Sequence, residues 1–510
     1  MIHDTTKHRQ IAAAPQKRRL AYVIWNFDVL AWETFVRLVD RVRKQGFTTV
    51  RLHLSWFNAE KTPGVYDFAP YDAQIAYIAG CGMDVILTVD LQRKVKIGEN
   101  GIPTAIDAVI DTDEFQYACG ADTYIADTMY GTAMISYAAA RGTEAMVRFY
   151  RAAAEHFAAK FSHDVIAYIC PTFTPYCETE YWCAGAYDYS AHMKRAFEEY
   201  LSASYADIAD LNKDLGSDFA SFADVPMPDD TDRGVLGVLF YQCRHKVLKS
   251  LIDRLAEAQK SVTPVIPFAV QFGCVWDAAS VRRCTYAFAD LSAHADLVVV
   301  DDAPGFDHAF SMDYVASVLA GSGKTFGNEI DGYYMIENGT ATAEGYVEQA
   351  LTSYRHGASV QYVANWMTEV PLSNYGYIFS TAAQEYLQNG RECDLATEEA
   401  EGEELHVSLL KLFETGVWQD YAEDYRAITD GGETFSRIRV HDDLTTRIYD
   451  NSAAGRDIKV DILTPEDVKK EEEKKSNRET AMAVAAIGAA ALVAIGVAAV
   501  KMFFNDKDDK

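Results

Sequence analysis

The chain has 510 residues, 49% of them hydrophobic and 12% aromatic, which is ample material for a large core. Its net charge is −28, from 75 acidic against 47 basic side chains, and this argues against a nucleic-acid binder that tracks phosphates. Nine cysteines with no Cys-x-x-Cys pair fit reduced thiols better than a disulfide framework.

Residues 1–18 form a polar, basic tail without the apolar core of a signal peptide. Arg19 to Trp25 is then a continuous apolar run, suited to a strand buried on both faces. Trp32, Phe35, Val36, Val39 and Val42 recur at helical spacing before Gly46. Thr48 to Leu54 is a second strand, Tyr71 to Ala79 a helix and Asp84 to Leu91 a third strand. Strand and helix alternating over short links are the mark of parallel βαβ units.

Residues 92–142 have no strong period but carry Tyr117, Tyr124, Tyr130 and Tyr137, and read as a substrate-covering loop. A helix over Glu144 to Phe161 leads to a fourth strand, Val165 to Phe173, and to the acidic loop containing Glu178 and Glu180. Residues 189–216 and 235–260 are helical in pattern. Four further strands follow at Val265 to Phe272, Leu297 to Val300, Thr325 to Asn328 and Val360 to Asn365. Eight strands alternating with helices predict an α/β fold, a (β/α)8 barrel over residues 19–380.

A small α+β accessory region is expected over 381–464, followed by a charged linker at 465–480. Ala481 to Val500 are twenty uncharged, largely apolar residues, so 481–504 reads as a C-terminal transmembrane helix with a polar tail at 505–510. Five basic residues precede the span and three follow it, which favours the large domain on the cytoplasmic side of a single-pass anchor.

The barrel would present Trp25, His53, Trp56, Asp90, Glu178, Glu180, Asp302, Glu329, Asp331 and Trp366 at its strand ends. Carboxylates beside aromatic faces, without a Gly-rich phosphate loop or a His triad, suit a carbohydrate and call for no cofactor. Two carboxyl groups are the minimum for glycosidic cleavage: one protonated to donate to the leaving oxygen, one ionised to attack or to activate water. Glu178 and Glu329 are the catalytic pair in this reading, and the other eight residues line the substrate. Cys177 and Cys183 flank Glu178, with Cys119 in an earlier loop, but their spacing does not specify a zinc site and no metal is expected.

Residues 19–370 resemble clan A glycoside hydrolases, particularly glycoside hydrolase family 42, the β-galactosidase-like barrels. The resemblance is carried by the run from Phe35 to Arg51, by Ser55-Trp56 with Glu60, by Gly64-Val-Tyr-Asp67-Phe68 followed by Asp72, and by Phe197 to Leu201 through Asn212 to Pro226. It implies a retaining enzyme acting on a β-linked galactoside, with Glu329 at the nucleophile position on the seventh strand. The family carries an Asn-Glu pair at the end of its fourth strand, where this sequence has Thr172-Phe173. The nearest acid is Glu178, assigned as acid/base with Glu180 as its substitute, in a loop that looks more like that of the inverting β-amylases. Two other readings stand beside the hydrolase: a barrel that binds carbohydrate without cleaving it, and an inverting α-glucan hydrolase of β-amylase type.

Overall fold

The computed structural model describes residues 18–24, 29–44, 47–94, 96–97, 103–104, most of 108–229, 235–275, 280–285, 288–302, 321–331 and 357–364. Short pieces at 312–319, 353–354, 437–439 and 461–463 are also described. Eight parallel strands dominate it: β1 (Arg19–Ile24), β2 (Thr49–Ser55), β3 (Asp84–Asp90), β4 (Ile166–Thr172), β5 (Ala269–Phe272), β6 (Leu297–Asp302), β7 (Thr325–Asp331) and β8 (Val360–Ala364). Hydrogen bonding runs in the order β5-β6-β7-β8-β1-β2-β3-β4. A parallel bridge between Ile169 and Phe268 joins β4 to β5 and closes the cylinder. All eight strands fall on the apolar runs that predicted them.

Side chains alternate across each strand, and the burial separates accordingly. Ala21, Val23, Ile86, Cys170, Ala269, Leu297, Val299 and Tyr362 fill the barrel interior. Leu20, Tyr22, Val50, Leu52, Val85, Leu87, Val270 and Val298 pack outward on the helices. Both faces exclude water, so the strands read as apolar runs. Buried polar residues interrupt them, notably Arg51 and His53 on β2, Gln271 on β5, Asn328 and Glu329 on β7 and Gln361 on β8. At the far end, Arg19 Nε donates to Asp84 Oδ2 at 3.0 Å, tying β1 to β3.

The helices of eight or more described residues are α1 (Trp32–Lys44), α2 (Ala69–Gly80), α3 (Ala140–Lys160), α4 (Ala191–Ser204), α5 (Ile208–Leu215) and α6 (Val235–Val262). The single helical stretch expected over 189–216 is two helices. Ser190 caps α4 by accepting from Met193 N, and Asp207 caps α5 by accepting from Ala209 N and Asp210 N. Gly216, at φ 65°, ends α5 in a left-handed conformation that a β-carbon disfavours. The segment 92–142 is not featureless: it holds a three-stranded patch of Arg93–Lys94, Thr132–Ala133 and Ala126–Asp127, and Phe115 is fully buried.

Of the expected accessory region, Arg437–Arg439 pairs antiparallel with Asp461–Leu463. The rest of 381–464, the linker and the expected transmembrane segment 481–504 lie outside the described residues. Among the described residues no helix is long and apolar enough to cross a membrane.

Candidate active site

Glu329 sits on the inner face of β7, in register with Asp301 of β6 and Tyr362 of β8. It is 5% exposed. Arg51 Nη1 donates to Glu329 Oε2 at 2.9 Å, and Gln271 Nε2 donates to the same oxygen. Burial drives its carboxyl above the usual range, the charge of Glu178 pushes the same way, and Arg51 with Gln271 opposes both.

The fourth strand delivers Glu178 through a tight turn. Cys177 N donates to Thr174 O at 2.9 Å, with Pro175 at the turn's second position, and Phe173 N then donates to Glu178 O at 2.8 Å. Cys177 closes the turn at φ 60°, a left-handed conformation costly for a side-chain-bearing residue, so the surrounding contacts must hold it there. They include Arg51 Nη2 donating to Cys177 O at 3.0 Å and the Cys177 thiol 3.1 Å from His53 Nδ1. Beyond the turn, Thr179 N donates to Gln271 O, which lashes the loop to β5.

Glu178 is 5% exposed. Thr174 Oγ1 donates to its Oε2 at 3.1 Å and accepts from its backbone N at 3.1 Å. Burial raises its carboxyl, while Arg283, Thr174 and Arg51 pull it back. Arg51, bonded both to Glu329 and to the carbonyl of Cys177 just before Glu178, ties the two residues, 151 positions apart in the chain, to one end of the barrel.

The other predicted residues divide. Asp90 ends β3 buried, accepting from Gln92 N at 3.2 Å. His53 is buried against Cys177, and burial with the charge of Arg51 pushes its imidazole well below its usual value, so it is neutral. Trp56 is corrected: it is fully buried, its Nε1 donates to Glu60 at 2.6 Å, and Phe149 and Arg93 pack on its ring. It is a core residue and offers a sugar no surface. Glu180 is corrected as well. It is 0% exposed, with Oε2 accepting from Gly273 N at 2.8 Å and Oε1 3.1 Å from Arg283 Nε, so its oxygens face protein.

Asp302 pairs with Ile330, one step out of the Glu329 register, whereas Asp301 stands opposite Glu329. Asp331 lies two residues beyond Glu329 on the same strand and pairs with Ala364. Trp25 and Trp366 lie outside the described residues. Among the described residues no three His, Cys, Asp or Glu side chains gather as metal ligands.

Arg51, Gln271, Thr174 and Arg283 were not among the predicted site residues. One signal was available for Arg51: in Thr-Val-Arg-Leu-His-Leu the polar residues recur every second position, which puts Arg51 and His53 on one face. The other three are recognisable only through contacts.

A family model described as beta-galactosidase, glycoside hydrolase family 42, matches residues 142–321. That span includes β4 to β6 and the Glu178 loop and stops just before β7. Comparison with curated protein sequences gives no match. Among solved structures, the catalytic domain of a β-amylase from Paenibacillus polymyxa is 15% identical at TM-score 0.53, covering 72% of this chain and all of that one. A β-galactosidase from the haloarchaeon Halorubrum lacusprofundi is 15% identical at TM-score 0.56, covering 80% of this chain and 62% of that one. A family-42 β-galactosidase from G. stearothermophilus is 14% identical at TM-score 0.55, covering 82% and 64%. The chain thus spans less than two thirds of the length of these galactosidases.

The closed barrel and the family match over residues 142–321 are both consistent with a clan A glycoside hydrolase. Within that clan it resembles family 42, and the match supports a glycosidase.

Proposed function

We propose that the chain hydrolyses a β-linked glycoside, galactoside by family resemblance, with Glu329 as nucleophile and Glu178 as acid/base. The observation that carries this is the unequal treatment of two buried carboxyl groups. Glu329 receives a guanidinium N–H and an amide N–H on one oxygen, partners that favour the ionised form a nucleophile needs. Glu178 Oε2 accepts instead from the neutral Thr174 hydroxyl, a weaker support for the anion, which suits a proton donor. In the first step Glu329 attacks the anomeric carbon while Glu178 protonates the departing oxygen. In the second, Glu178 takes a proton from the water that releases the sugar. Asp90, Asp301 and Asp331, at the ends of three strands, are the candidates for binding sugar hydroxyls.

The experiment is hydrolysis of aryl β-galactosides by the wild type, Glu329→Gln and Glu178→Gln, with the product anomer followed by NMR. Retained β-anomer and loss of turnover on both substitutions support the reading; turnover that survives Glu329→Gln removes it. A second reading, inverting cleavage of an α-glucan, is favoured by the loop Thr174-Pro-Tyr-Cys-Glu178 and by the coverage of the whole β-amylase domain. Release of β-maltose from starch would select it.

The apolar run 481–504 supports a single-pass membrane anchor, with the barrel on the cytoplasmic side. Ending the chain at residue 480 should move it from the membrane fraction to the supernatant.

A further inference from the structure

Glu329 is held by one oxygen of its carboxyl group. Oε2 accepts from Arg51 Nη1 at 2.9 Å and from Gln271 Nε2, while Oε1 accepts from none of the described residues. The main chain of Gln271 is fixed on both sides: its N–H donates to Thr179 Oγ1 at 3.1 Å, and its carbonyl accepts from Thr179 N. A carboxylate only accepts, so the side-chain amide must turn its NH2 toward Glu329 and its oxygen away. That oxygen, Gln271 Oε1, is buried and has no hydrogen-bond partner among the described residues. The buried hydroxyl of Thr172, the last residue of β4, is in the same condition. Gln271 and Thr172 each stand three residues beyond the bridge between Phe268 and Ile169, on the strand face that Ala269 and Cys170 turn to the barrel interior. Unpaired polar groups are costly in a buried site. We propose that substrate completes them: Gln271 is a specificity-determining residue whose Oε1 accepts from the 2-hydroxyl of the sugar ring while its Nε2 holds the nucleophile. This rests on the assignment of Glu329 as the nucleophile.

The chemistry of the first step selects the hydroxyl. Glu329 Oε1 is the oxygen free to attack, so the anomeric carbon must come to it. Oε2 and the amide bonded to it then lie beside the neighbours of that carbon. One neighbour is the ring oxygen, which has no proton to give. The other is C2, whose hydroxyl has one, so it is the first donor an amide oxygen at this place can meet. A hydroxyl also accepts, and Thr172 Oγ1 can donate to the same group. As the glycosidic bond breaks, the ring gains oxocarbenium character and draws electrons from C2. The 2-hydroxyl becomes a better donor, and its bond to Gln271 strengthens in the transition state, where it raises kcat rather than only tightening binding. Gln271 takes no proton in either step. The substrate class that follows is a pyranoside with a free 2-hydroxyl, and a 2-deoxy sugar lacks the group that Gln271 reads.

The test compares kcat/KM for an aryl β-galactoside with that for its 2-deoxy and 6-deoxy counterparts, in the full-length wild type and two variants. Gln271→Met removes both arms of the amide. It should lower turnover of all three substrates but cut the ratio of parent to 2-deoxy substrate by about tenfold, leaving the ratio of parent to 6-deoxy substrate in place. Gln271→Glu loses the donor to Glu329 yet keeps an acceptor oxygen, so activity should fall while the 2-deoxy ratio stays within about twofold of wild type. Each ratio is internal to one protein, so a partly unfolded variant still gives it. A Gln271 that only orients Glu329 or packs the barrel would lower all three substrates equally in Gln271→Met, and that result overturns the proposal. A change confined to the 6-deoxy ratio overturns it as well. Calorimetric binding of galactose and 2-deoxygalactose to the same proteins separates this proposal from the hydrolase reading. A wild type that cleaves none of the three but prefers galactose, with the preference lost in Gln271→Met, removes the hydrolase reading and keeps the hydroxyl contact. A wild type that cleaves the galactoside with no preference between the two forms removes the contact and keeps the hydrolase. One that neither cleaves nor binds removes both.

Discussion

Arg51 and Glu329 meet inside the barrel with Nη1 2.9 Å from Oε2, one side chain fully buried and the other nearly so. The same guanidinium donates Nη2 to the carbonyl of Cys177 and Nε to Thr88 Oγ1 at 3.0 Å. One rigid fork therefore fixes the nucleophile, the turn that presents the acid, and the third strand. Arg51→Met should leave a buried carboxylate without its cation, costing about 3–5 kcal/mol near neutral pH in urea denaturation. Its carboxyl then rises further, so the acidic limb of the pH–rate profile should shift upward. Arg51→Lys keeps the charge but loses the fork and should recover only part of the activity.

Glu178 predicts a pH dependence of stability. Its carboxyl is raised in the folded chain, chiefly by burial, above the ordinary glutamate value of about 4.3. The folded state consequently binds the proton more tightly than the unfolded one. Its contribution to stability is complete below about pH 4.3 and is lost as pH rises through the higher folded value. Glu178→Gln, a neutral isostere, should be more stable than the wild type at pH 8, with the gain vanishing toward pH 4. Thermal melts of both proteins across that range measure it. Equal melting differences at both ends would contradict a raised Glu178.

Gly273 tests the packing around Glu178 directly. Gly273→Ala would place a methyl 2.8 Å from Glu178 Oε1, closer than real contacts allow, and the carboxyl must turn aside. Displacing a reacting group by about 1 Å costs on the order of 100-fold in rate. We expect kcat/KM to fall by roughly that factor, with the far-ultraviolet circular dichroism unchanged.

How far the sequence reveals this site depends on the range of the signal. The eight strands are legible because burial on both faces leaves apolar runs such as Leu297–Val300, which no neighbour is needed to interpret. Glu329 is legible for the same reason: it is the first charge after such a run. The surroundings of Glu180 are not. Gly273 and Arg283 lie 93 and 103 positions away, and only closure of β4 on β5 brings them to it. Asp301 and Asp302 differ by one position, and a register read from coordinates is needed to see which one stands opposite Glu329. Trp56 misleads because a tryptophan following a strand fits a sugar platform as well as a core. Its partner Glu60 was present in the family motif, at i+4, without its role being evident.

That tryptophan supplies the last prediction. Its Nε1 donates to Glu60 Oε2 at 2.6 Å, while Glu60 Oε1 accepts from Gly64 N at 2.7 Å and the backbone carbonyl of Glu60 accepts from Arg93 Nη2 at 3.0 Å. Glu60 is fully buried, so it cannot replace a lost donor with water. Trp56→Phe keeps a ring against Phe149 but deletes the donor, and hydrogen bonds to charged groups are worth about 1.5–3 kcal/mol. The smaller ring also leaves space beneath Arg93, adding to the loss. We expect a destabilisation of about 2–4 kcal/mol with KM for the glycoside within about twofold of wild type. A KM that rises tenfold while stability holds would instead return Trp56 to the sugar-binding surface.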